Sequence, residues 1–248
     1  MTTMLWMVPS GEQPDRLTPH FSFVQLPPAS VAGADSFTQI AALRYEVYCL
    51  ECGFLSPEAY PGKLEVDDYD GRSLHVAAFD PEGQLVGAVR LVLAGAGQPF
   101  PFEDHCGVFD GYVFPPREQC GEVSRLVVRK SFRRRPGDSS QGVADEFEEL
   151  GGSRANTPGI PSGPGSERRS NSPEILLGLY RELLRFSHQN GVRYWFSAME
   201  RALLRSMSRI GFKFEAVGPG ANYYGPVIPF VSDLEEFQVT VKNRDLLR

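Results

Sequence analysis

The sequence has no long hydrophobic run and little lysine. No apolar stretch approaches the ~20 residues needed to span a bilayer, and the segment from Met1 to His20 lacks the charged-then-apolar order of a secretory signal. The sequence therefore predicts a cytoplasmic protein without a transmembrane segment. Lysine supplies only four of the 25 cations, a bias that we attribute to genome composition. The formal net charge of -6 argues against a nucleic-acid-binding protein, because such a protein needs a basic domain.

Cysteine is also scarce, with four residues in the whole chain. The C-x-x-C spacing of Cys49 and Cys52 is typical of some zinc and redox sites, but the pair stands at the end of a predicted helix. Cys106 and Cys120 do not repeat the tight spacing that a four-cysteine zinc site usually has, even with His105 nearby. We therefore expect ordinary buried or half-buried thiols and no metal.

What the chain does contain is enough apolar sequence for a core, since 42% of its residues are hydrophobic and 11% aromatic. Periodicity predicts strands over 21–26, 74–79, 85–93, 122–128, 192–199, 212–217 and 227–231. It predicts helices over 35–50, 172–190, 200–210 and 233–245. This order predicts an α/β fold with one central mixed sheet flanked by helices, although a ferredoxin-like or other α+β sheet would give a similar order.

Two segments lack any such periodicity. Residues 1–19 are expected to form a flexible N-terminus. Residues 137–171 are rich in Gly, Ser, Pro, Asn and acidic residues, so they bury too little apolar surface to offset the entropy of ordering. We predict one domain over 20–248 that is interrupted by a disordered insertion at 137–171.

Charged residues occur inside several apolar segments, where an unpaired charge is costly. An acidic loop between the first helix and the second strand supplies possible partners. The resulting candidate set is Arg44, Asp67, Asp70, Arg90, Glu122 and Arg125. Each residue alone is explained by an ordinary ion pair at a strand end, but six together favour a cluster that holds a polar substrate in a fixed field.

The same residues belong to four motifs that follow one another along the chain. They are Arg44-x-x-Val47-Tyr48, Glu65-x-Asp67-x-x-Asp70, Gly87-x-Val89-Arg90-Leu91 and Glu122-x-Ser124-Arg125. Their order and spacing resemble those of the acyl-homoserine-lactone synthases, which have a GNAT-like acyltransferase fold. The resemblance runs from about residue 36 to 232 and leaves 137–171 unmatched.

Two further motifs are similar to those of a neighbouring branch. Val47-Tyr48-Cys49-x-Glu51 and Tyr224-Gly225-Pro226-x-x-Pro229 resemble the N-acyl amino acid synthases and the PEP-CTERM/exosortase system-associated acyltransferases. The resemblance implies transfer of an acyl group, expected to be fatty, from an acyl carrier protein thioester to the amine of an amino-acid-like acceptor. It implies that the six charged residues form the active site and that Glu122 helps to deprotonate the amine.

The resemblance also implies where the donor binds. The strand 122–128 would line the thioester arm, which makes Leu126, Val127 and Val128 candidate donor-binding residues. The next residues carry five cations in seven positions, Arg129, Lys130, Arg133, Arg134 and Arg135, where coenzyme A-dependent relatives carry a glycine-containing loop. This run suits the acidic surface of an acyl carrier protein, and a solvated charge run explains it equally well. Acyl-coenzyme A remains the alternative donor, and N-acetyl transfer from coenzyme A by a GNAT enzyme remains the alternative reaction.

Two further points remain open at the level of sequence. Residues three apart face opposite sides of a regular strand, so Glu122 and Arg125 can share a site only if the strand bulges between Ser124 and Leu126 or if a loop reaches both faces. The candidate walls of an acyl tunnel, which aromatic core packing would explain equally well, are Phe100, Phe102, Phe109, Leu126, Tyr194 and Phe196. A GNAT-like binding module without turnover is the non-enzyme alternative.

Deletion of residues 137–171 tests the predicted insertion. Because the segment is expected to bury little apolar surface, its removal should leave the melting temperature nearly unchanged. Differential scanning calorimetry of the two proteins measures this. A large drop in melting temperature would mean that the segment packs against the domain.

Overall fold

The computed structural model describes residues 20–28, 34–133 and 172–237. The predicted flexible segment 1–19 lies outside these residues, and so does the predicted insertion 137–171. The strands are β1 (Ser22–Leu26), β2 (Ser73–Phe79), β3 (Leu85–Leu93), β4 (Cys120–Val128), β5 (Tyr194–Met199), β6 (Glu215–Ala216), β7 (Ala221–Asn222) and β8 (Pro226–Asp233). The α-helices are α1 (Ala34–Tyr45), α2 (Pro101–His105), α3 (Ser172–Asn190) and α4 (Arg201–Ile210).

The strands form one mixed sheet in the order β1-β2-β3-β4-β5-β8-β6, and β7 pairs with β8. Strands β4 and β5 are parallel, whereas the other described pairs are antiparallel. Parallel neighbours need a crossover connection, and α3 supplies it. This helix lies on the sheet with the apolar face that its sequence predicts, so Leu179 and Leu183 are fully buried.

The two faces of the sheet are covered differently. On the first face, α3 packs on Val76, Val89 and Val123 in the larger hydrophobic core. On the second face, α1 covers β2 to β4 at one end, and an aromatic group around α2 covers β4 and β5 at the other end. The charged candidate residues lie on this second face, between its two apolar groups.

Strands β4 and β5 separate towards their C-terminal ends. They pair only from Cys120↔Tyr194 to Glu122↔Phe196, although β4 continues to Val128. The Ser197 hydroxyl donates a hydrogen bond to the Val123 carbonyl at 2.9 Å, just beyond the last pair. Within the described residues, β4 therefore presents an unpaired edge from Ser124 onwards.

Three local predictions need correction. The first helix does not continue regularly to Leu50, because Glu46–Glu51 form a six-residue π-helix after α1. The strand expected over 212–217 pairs only at Glu215–Ala216, because the Phe212 ring stacks on Trp195 in the core at 5.4 Å instead of joining the ladder. Asp233, the expected start of the last helix, is the last residue of β8 and caps a single 3-10 turn, Leu234–Glu236, and most of that predicted helix lies outside the described residues.

No helix in the described parts of the chain is both long enough and apolar enough to cross a membrane.

The contact between β1 and α3 gives a test of the packing. A Cβ atom on Gly178 would lie 2.0 Å from Cζ of the Phe23 ring. We expect Gly178→Ala to destabilise the protein by about 1–3 kcal/mol through overpacking, despite the higher helix propensity of alanine. In a Phe23→Ala background the same substitution should stabilise by up to about 1 kcal/mol. Urea denaturation of the four proteins measures both effects, and equal effects in the two backgrounds would rule out the collision.

Candidate active site

The site is built around three arginines that three different elements bring to the second face of the sheet. Arg44 lies in the last turn of α1, Arg90 in β3 and Arg125 in β4. All three side chains are buried. Buried guanidinium groups need partners, and the acidic loop before β2 provides them.

Arg44 and Arg90 share the carboxylate of Asp70. Arg44 Nη1 donates to Asp70 Oδ1 at 2.7 Å, and Arg90 Nη1 donates to the same oxygen at 2.9 Å. Arg90 also pairs with Asp67 and donates from Nε to the Ser124 hydroxyl at 3.1 Å. These bonds join α1, the acidic loop, β3 and β4.

Arg125 reaches this network because β4 bulges. The register with β3 shifts between Ala88↔Val127 and Arg90↔Ser124, so β4 has one extra residue there. Arg125 adopts φ = +52°, a conformation that non-glycine residues rarely take. The bulge expected between Ser124 and Leu126 is therefore present, and it places Glu122, Ser124 and Arg125 on one face of the strand.

Glu65 is the partner that sequence reasoning left out of the candidate set. Its side chain is fully buried, pairs with Arg44 Nε, and accepts hydrogen bonds from Arg125 Nε and Nη2 at 3.2 and 3.1 Å. Arg125 Nη2 also donates to Asp67 Oδ2 at 3.0 Å. Glu65 thus connects the first and third arginines. The sequence did carry a signal for this residue, because Glu65 is the first acidic residue of the motif Glu65-x-Asp67-x-x-Asp70.

The pKa values of the two aspartates follow from these pairs. Burial alone would raise the pKa of both Asp67 and Asp70, but the arginines outweigh it and hold both below the usual range. For Asp67 the main opposing charge is Arg90, and for Asp70 it is Arg44 followed by Arg90. Both carboxylates are ionised at neutral pH.

His75 is a second buried polar residue that the sequence analysis missed. It lies in β2 with Nε2 3.7 Å from Asp70 Oδ1 and its ring 5.0 Å from that of Phe37. Burial lowers the pKa of His75 to about 3, because the gain from Asp70 is smaller. The imidazole is therefore neutral beside the charged network. A histidine within an apolar strand was the signal for it.

Glu122 stands apart from the ion pairs. Its carboxylate accepts a hydrogen bond from the backbone N–H of Phe102 at 2.8 Å and lies in the aromatic part of the core, where the Phe102 and Phe196 rings stack at 5.0 Å. Burial raises the pKa of Glu122 to about 8, and the opposing effects of the Phe102 N–H, Arg90 and Arg125 are smaller. Of the six candidates, five join one ion-pair network and Glu122 lies beside it.

Aromatic rings pack against the guanidinium group of Arg125. The guanidinium carbon lies 5.4 Å from the centre of the Tyr48 ring and 5.2 Å from that of Tyr224, which suits cation–π attraction. Tyr223 packs on Tyr224 at 4.4 Å, and burial raises the pKa of Tyr223 to about 12. Tyr223 and Tyr224 form the turn between β7 and β8, which thereby closes over the site.

The candidate donor-binding residues occupy two regions. Leu126, Val127 and Val128 lie along the unpaired edge of β4, whereas Arg133 lies beyond the end of that strand and pairs with Glu51. Arg134 and Arg135 lie outside the described residues. The described residues contain no group of three or more His, Cys, Asp or Glu side chains that could hold a metal ion, and the four cysteines are free.

The six candidate tunnel walls do not line one space. Phe100, Phe102 and Phe196 pack against one another in the aromatic core, while Phe109 is 48% exposed. Leu126 contacts the larger core on the other face of the sheet. The packing of these aromatic side chains agrees with a role in the core.

Comparisons with known proteins agree with this architecture. The family model described as "Acetyltransferase (GNAT) domain" matches residues 43–140. The chain aligns with BjaI, a coenzyme A-dependent acyl-homoserine lactone synthase solved with MTA, with a TM-score of 0.58 and 17% identity over 92% of this chain and 87% of BjaI. The fold is that of the GNAT acyltransferases. The expected GNAT-like fold is therefore confirmed.

Two other solved structures have the same fold. The AHL synthase LasI aligns with a TM-score of 0.55 and 15% identity over 86% of this chain and 89% of LasI. FeeM, an N-acyl amino acid synthase from uncultured soil microbes, aligns with a TM-score of 0.50 and 15% identity over 92% of this chain and 98% of FeeM. No curated protein sequence matches the chain. In the GNAT fold of this chain, the charged network lies beside the opening between β4 and β5.

Glu65→Gln tests the network. The substitution keeps the size of the side chain but removes the carboxylate that Arg44 and Arg125 share, so we expect a loss of about 3–5 kcal/mol in the free energy of unfolding. The control is Glu236→Gln, which removes an exposed carboxylate 3.8 Å from Lys213 and should cost no more than about 1 kcal/mol. Equal losses in urea denaturation would contradict a structural role for Glu65.

Proposed function

We propose that this protein is an N-acyltransferase that moves an acyl group from an acyl carrier protein thioester to the amine of an amino-acid-like acceptor. The product is an N-acyl amide. The observation that carries the proposal is Glu122, a buried carboxyl with a pKa of about 8 beside three charge-balanced arginines. A general base works best when its pKa is close to the working pH.

The unpaired edge of β4 suits a thioester donor. From Ser124 to Val128 the strand has no pairing with β5, so its backbone groups on that side are available to a pantetheine arm. A backbone N–H group there can also stabilise the oxyanion that develops during attack. The matched family and the fold support acyl transfer as the class of reaction.

The chemistry assigns Glu122 one proton to move. An ammonium has no lone pair, so the ionised carboxylate takes a proton from the acceptor, directly or through one water. The neutral amine then attacks the thioester carbonyl and forms the C–N bond, its nitrogen releases a second proton to solvent, the C–S bond breaks and the thiolate leaves. The proton on Glu122 can be passed to the departing thiolate, which restores the carboxylate.

The identities of donor and acceptor rest on resemblance and charge. An amino-acid-like acceptor is supported by the fold shared with the N-acyl amino acid synthase FeeM. Another similar fold, that of BjaI, was solved with SAM and isopentyl-CoA, which keeps acyl-coenzyme A as the alternative donor. The basic run after β4 favours a carrier protein. The motifs around Tyr48 and Tyr224 support assignment to the PEP-CTERM/exosortase-associated branch, acting in a bacterial cytoplasm.

Lipid analysis tests the proposed function even while the acceptor is unidentified. Cells that overproduce the protein should accumulate a new N-acyl amide, detected by mass spectrometry of lipid extracts, and cells that produce Glu122→Ala should not. If the folded wild-type protein forms no acylated product when it is supplied with either donor, the chain is a binding module and not an enzyme.

Glu122→Gln tests the role of the base. The rate of acyl transfer should fall about 100- to 10,000-fold while the protein stays folded, because the amide cannot accept the proton. The wild-type rate should rise with pH through about 8, as Glu122 ionises, and this inflection should vanish in the variant. The stability of the protein should depend on pH in the opposite direction to the rate. Because folding raises the pKa of the Glu122 carboxyl, this group stabilises the folded state at pH values below its pKa in the unfolded chain, and the stabilisation is lost as the pH rises towards about 8.

The control for this experiment is Glu118→Gln, the same change on an exposed carboxylate two residues before β4 begins. It should leave both the rate and the pH profile unchanged. Full activity of Glu122→Gln would assign the base to another carboxylate. Asp70 is then the next candidate, although its two arginine partners make it a weak base.

A further inference from the structure

The π-helix Glu46–Glu51 connects the candidate site to the protein surface. On its inner side, the Tyr48 ring lies 5.4 Å from the guanidinium carbon of Arg125. On its outer side, Leu50 is 61% exposed and the two glutamates reach towards the cations that follow β4. π-helical turns are rare in proteins, and many of those that do occur lie at functional sites.

Both terminal glutamates of this turn already hold cations of the basic run. Glu46 Oε2 lies 3.0 Å from Arg129 Nη1, and Glu51 pairs with Arg133. Arg129 is further held by a hydrogen bond from its Nε to the Leu85 carbonyl at 3.1 Å. Two of the five cations of this run, Arg129 and Arg133, are therefore paired with carboxylates of the chain itself.

These pairs differ from those of the buried network in one decisive way. The side chains of Glu46 and Arg129 are 38% and 26% exposed and those of Arg133 and Glu51 are 38% and 15% exposed, whereas those of Arg44 and Glu65 are 1% or less. Exposed ion pairs contribute little, no more than about five-fold in an equilibrium constant, so an incoming carboxylate can replace one partner. Replacement in the buried network would leave a desolvated charge unpaired.

The position of the pairs also fits donor delivery. Arg129 directly follows Val128, the last residue of β4, and so lies at the end of the strand whose edge is open towards β5. Leu50 directly precedes Glu51 in the chain and is an exposed apolar side chain. An apolar centre with a charged rim is the usual composition of a protein interface.

We propose that Glu46 and Glu51 occupy the docking site of an acidic acyl carrier protein, and that the carrier binds by replacing them as partners of Arg129 and Arg133. This inference rests on the proposed transfer from a carrier protein. Docking then replaces existing ion pairs and adds no new ones. In the free protein the two glutamates neutralise the two arginines, which limits the attraction of these arginines for other anions. The exchange also acts on the turn that carries Tyr48, and so couples donor docking to the aromatic rings that pack against Arg125.

The experiment compares Glu46→Gln/Glu51→Gln with the wild type in binding a purified bacterial holo-acyl carrier protein, measured by isothermal titration calorimetry. Removal of the competing carboxylates should tighten binding roughly three- to ten-fold at ~50 mM salt. The difference should shrink at ~0.5 M salt, because exposed charges are then screened over a few ångströms. The KM for an acyl-pantetheine donor, which carries no phosphate and no acidic surface, should not change.

The matched control is Glu235→Gln, which also neutralises an exposed carboxylate paired with an arginine, Arg193, at 2.8 Å. Arg193 precedes β5, at the opposite end of the sheet from Arg129. The control should bind the carrier like the wild type. Equal tightening in the control would mean a general effect of net charge, and unchanged or weaker binding by the double variant would refute the exchange.

Arg133→Glu completes the set, and it should weaken carrier binding at least as much as the double variant strengthens it. A wild-type protein that transfers acyl groups from coenzyme A but binds no carrier would overturn this inference and leave acyl transfer in place. Absence of transfer from both donors, with carrier binding that responds to the variants as expected, would instead contradict the enzymatic proposal and leave the docking surface in place.

Discussion

The bulge at Arg125 is the constraint on which the site depends. Without it, alternate residues of β4 would place Arg125 with Val123, against α3 and the larger hydrophobic core. The extra residue changes the parity of the strand, so Leu126 packs into that core and Val127 joins the group under α1. The positive φ of Arg125 costs conformational energy, and its bonds to Glu65 and Asp67 are the compensation that the structure offers.

Charge balance then accounts for the state of Glu122. Three arginines face three carboxylates, Glu65, Asp67 and Asp70, so the formal charges of the network balance without a fourth acid. Glu122 is left in an aromatic environment with one N–H donor and no ion pair of its own, which is why burial dominates its pKa. The same packing that makes the arginines stable therefore leaves one carboxyl poised to exchange a proton near neutral pH.

Much of this arrangement could be predicted because charge inside an apolar strand is visible in a sequence. Arg90 and Glu122 stood out for that reason, and strand parity required either a bulge in β4 or a loop that reaches both faces. Glu65 did not stand out, because it belongs to an irregular acidic loop in which no periodicity distinguishes the buried Glu65 from the exposed Asp68. The Phe102 N–H that holds Glu122 could not be inferred, because it comes from a short helix inside a Pro- and Gly-rich stretch with no clear pattern.

Burial separates the ion pairs of this protein into two groups with different uses. Those that join Arg44, Arg90 and Arg125 to the acidic loop are desolvated, so they fix positions and tolerate no substitution of partners. Those at Arg129 and Arg133 remain partly in water, where a pair is worth little and can be remade with another carboxylate. The π-helix contacts both groups, through Tyr48 on one side and through Glu46 and Glu51 on the other. A regular continuation of α1 advances each residue by about 100°, whereas a π-turn advances it by less, so the local change in helix type alters which side chains of this segment face inward.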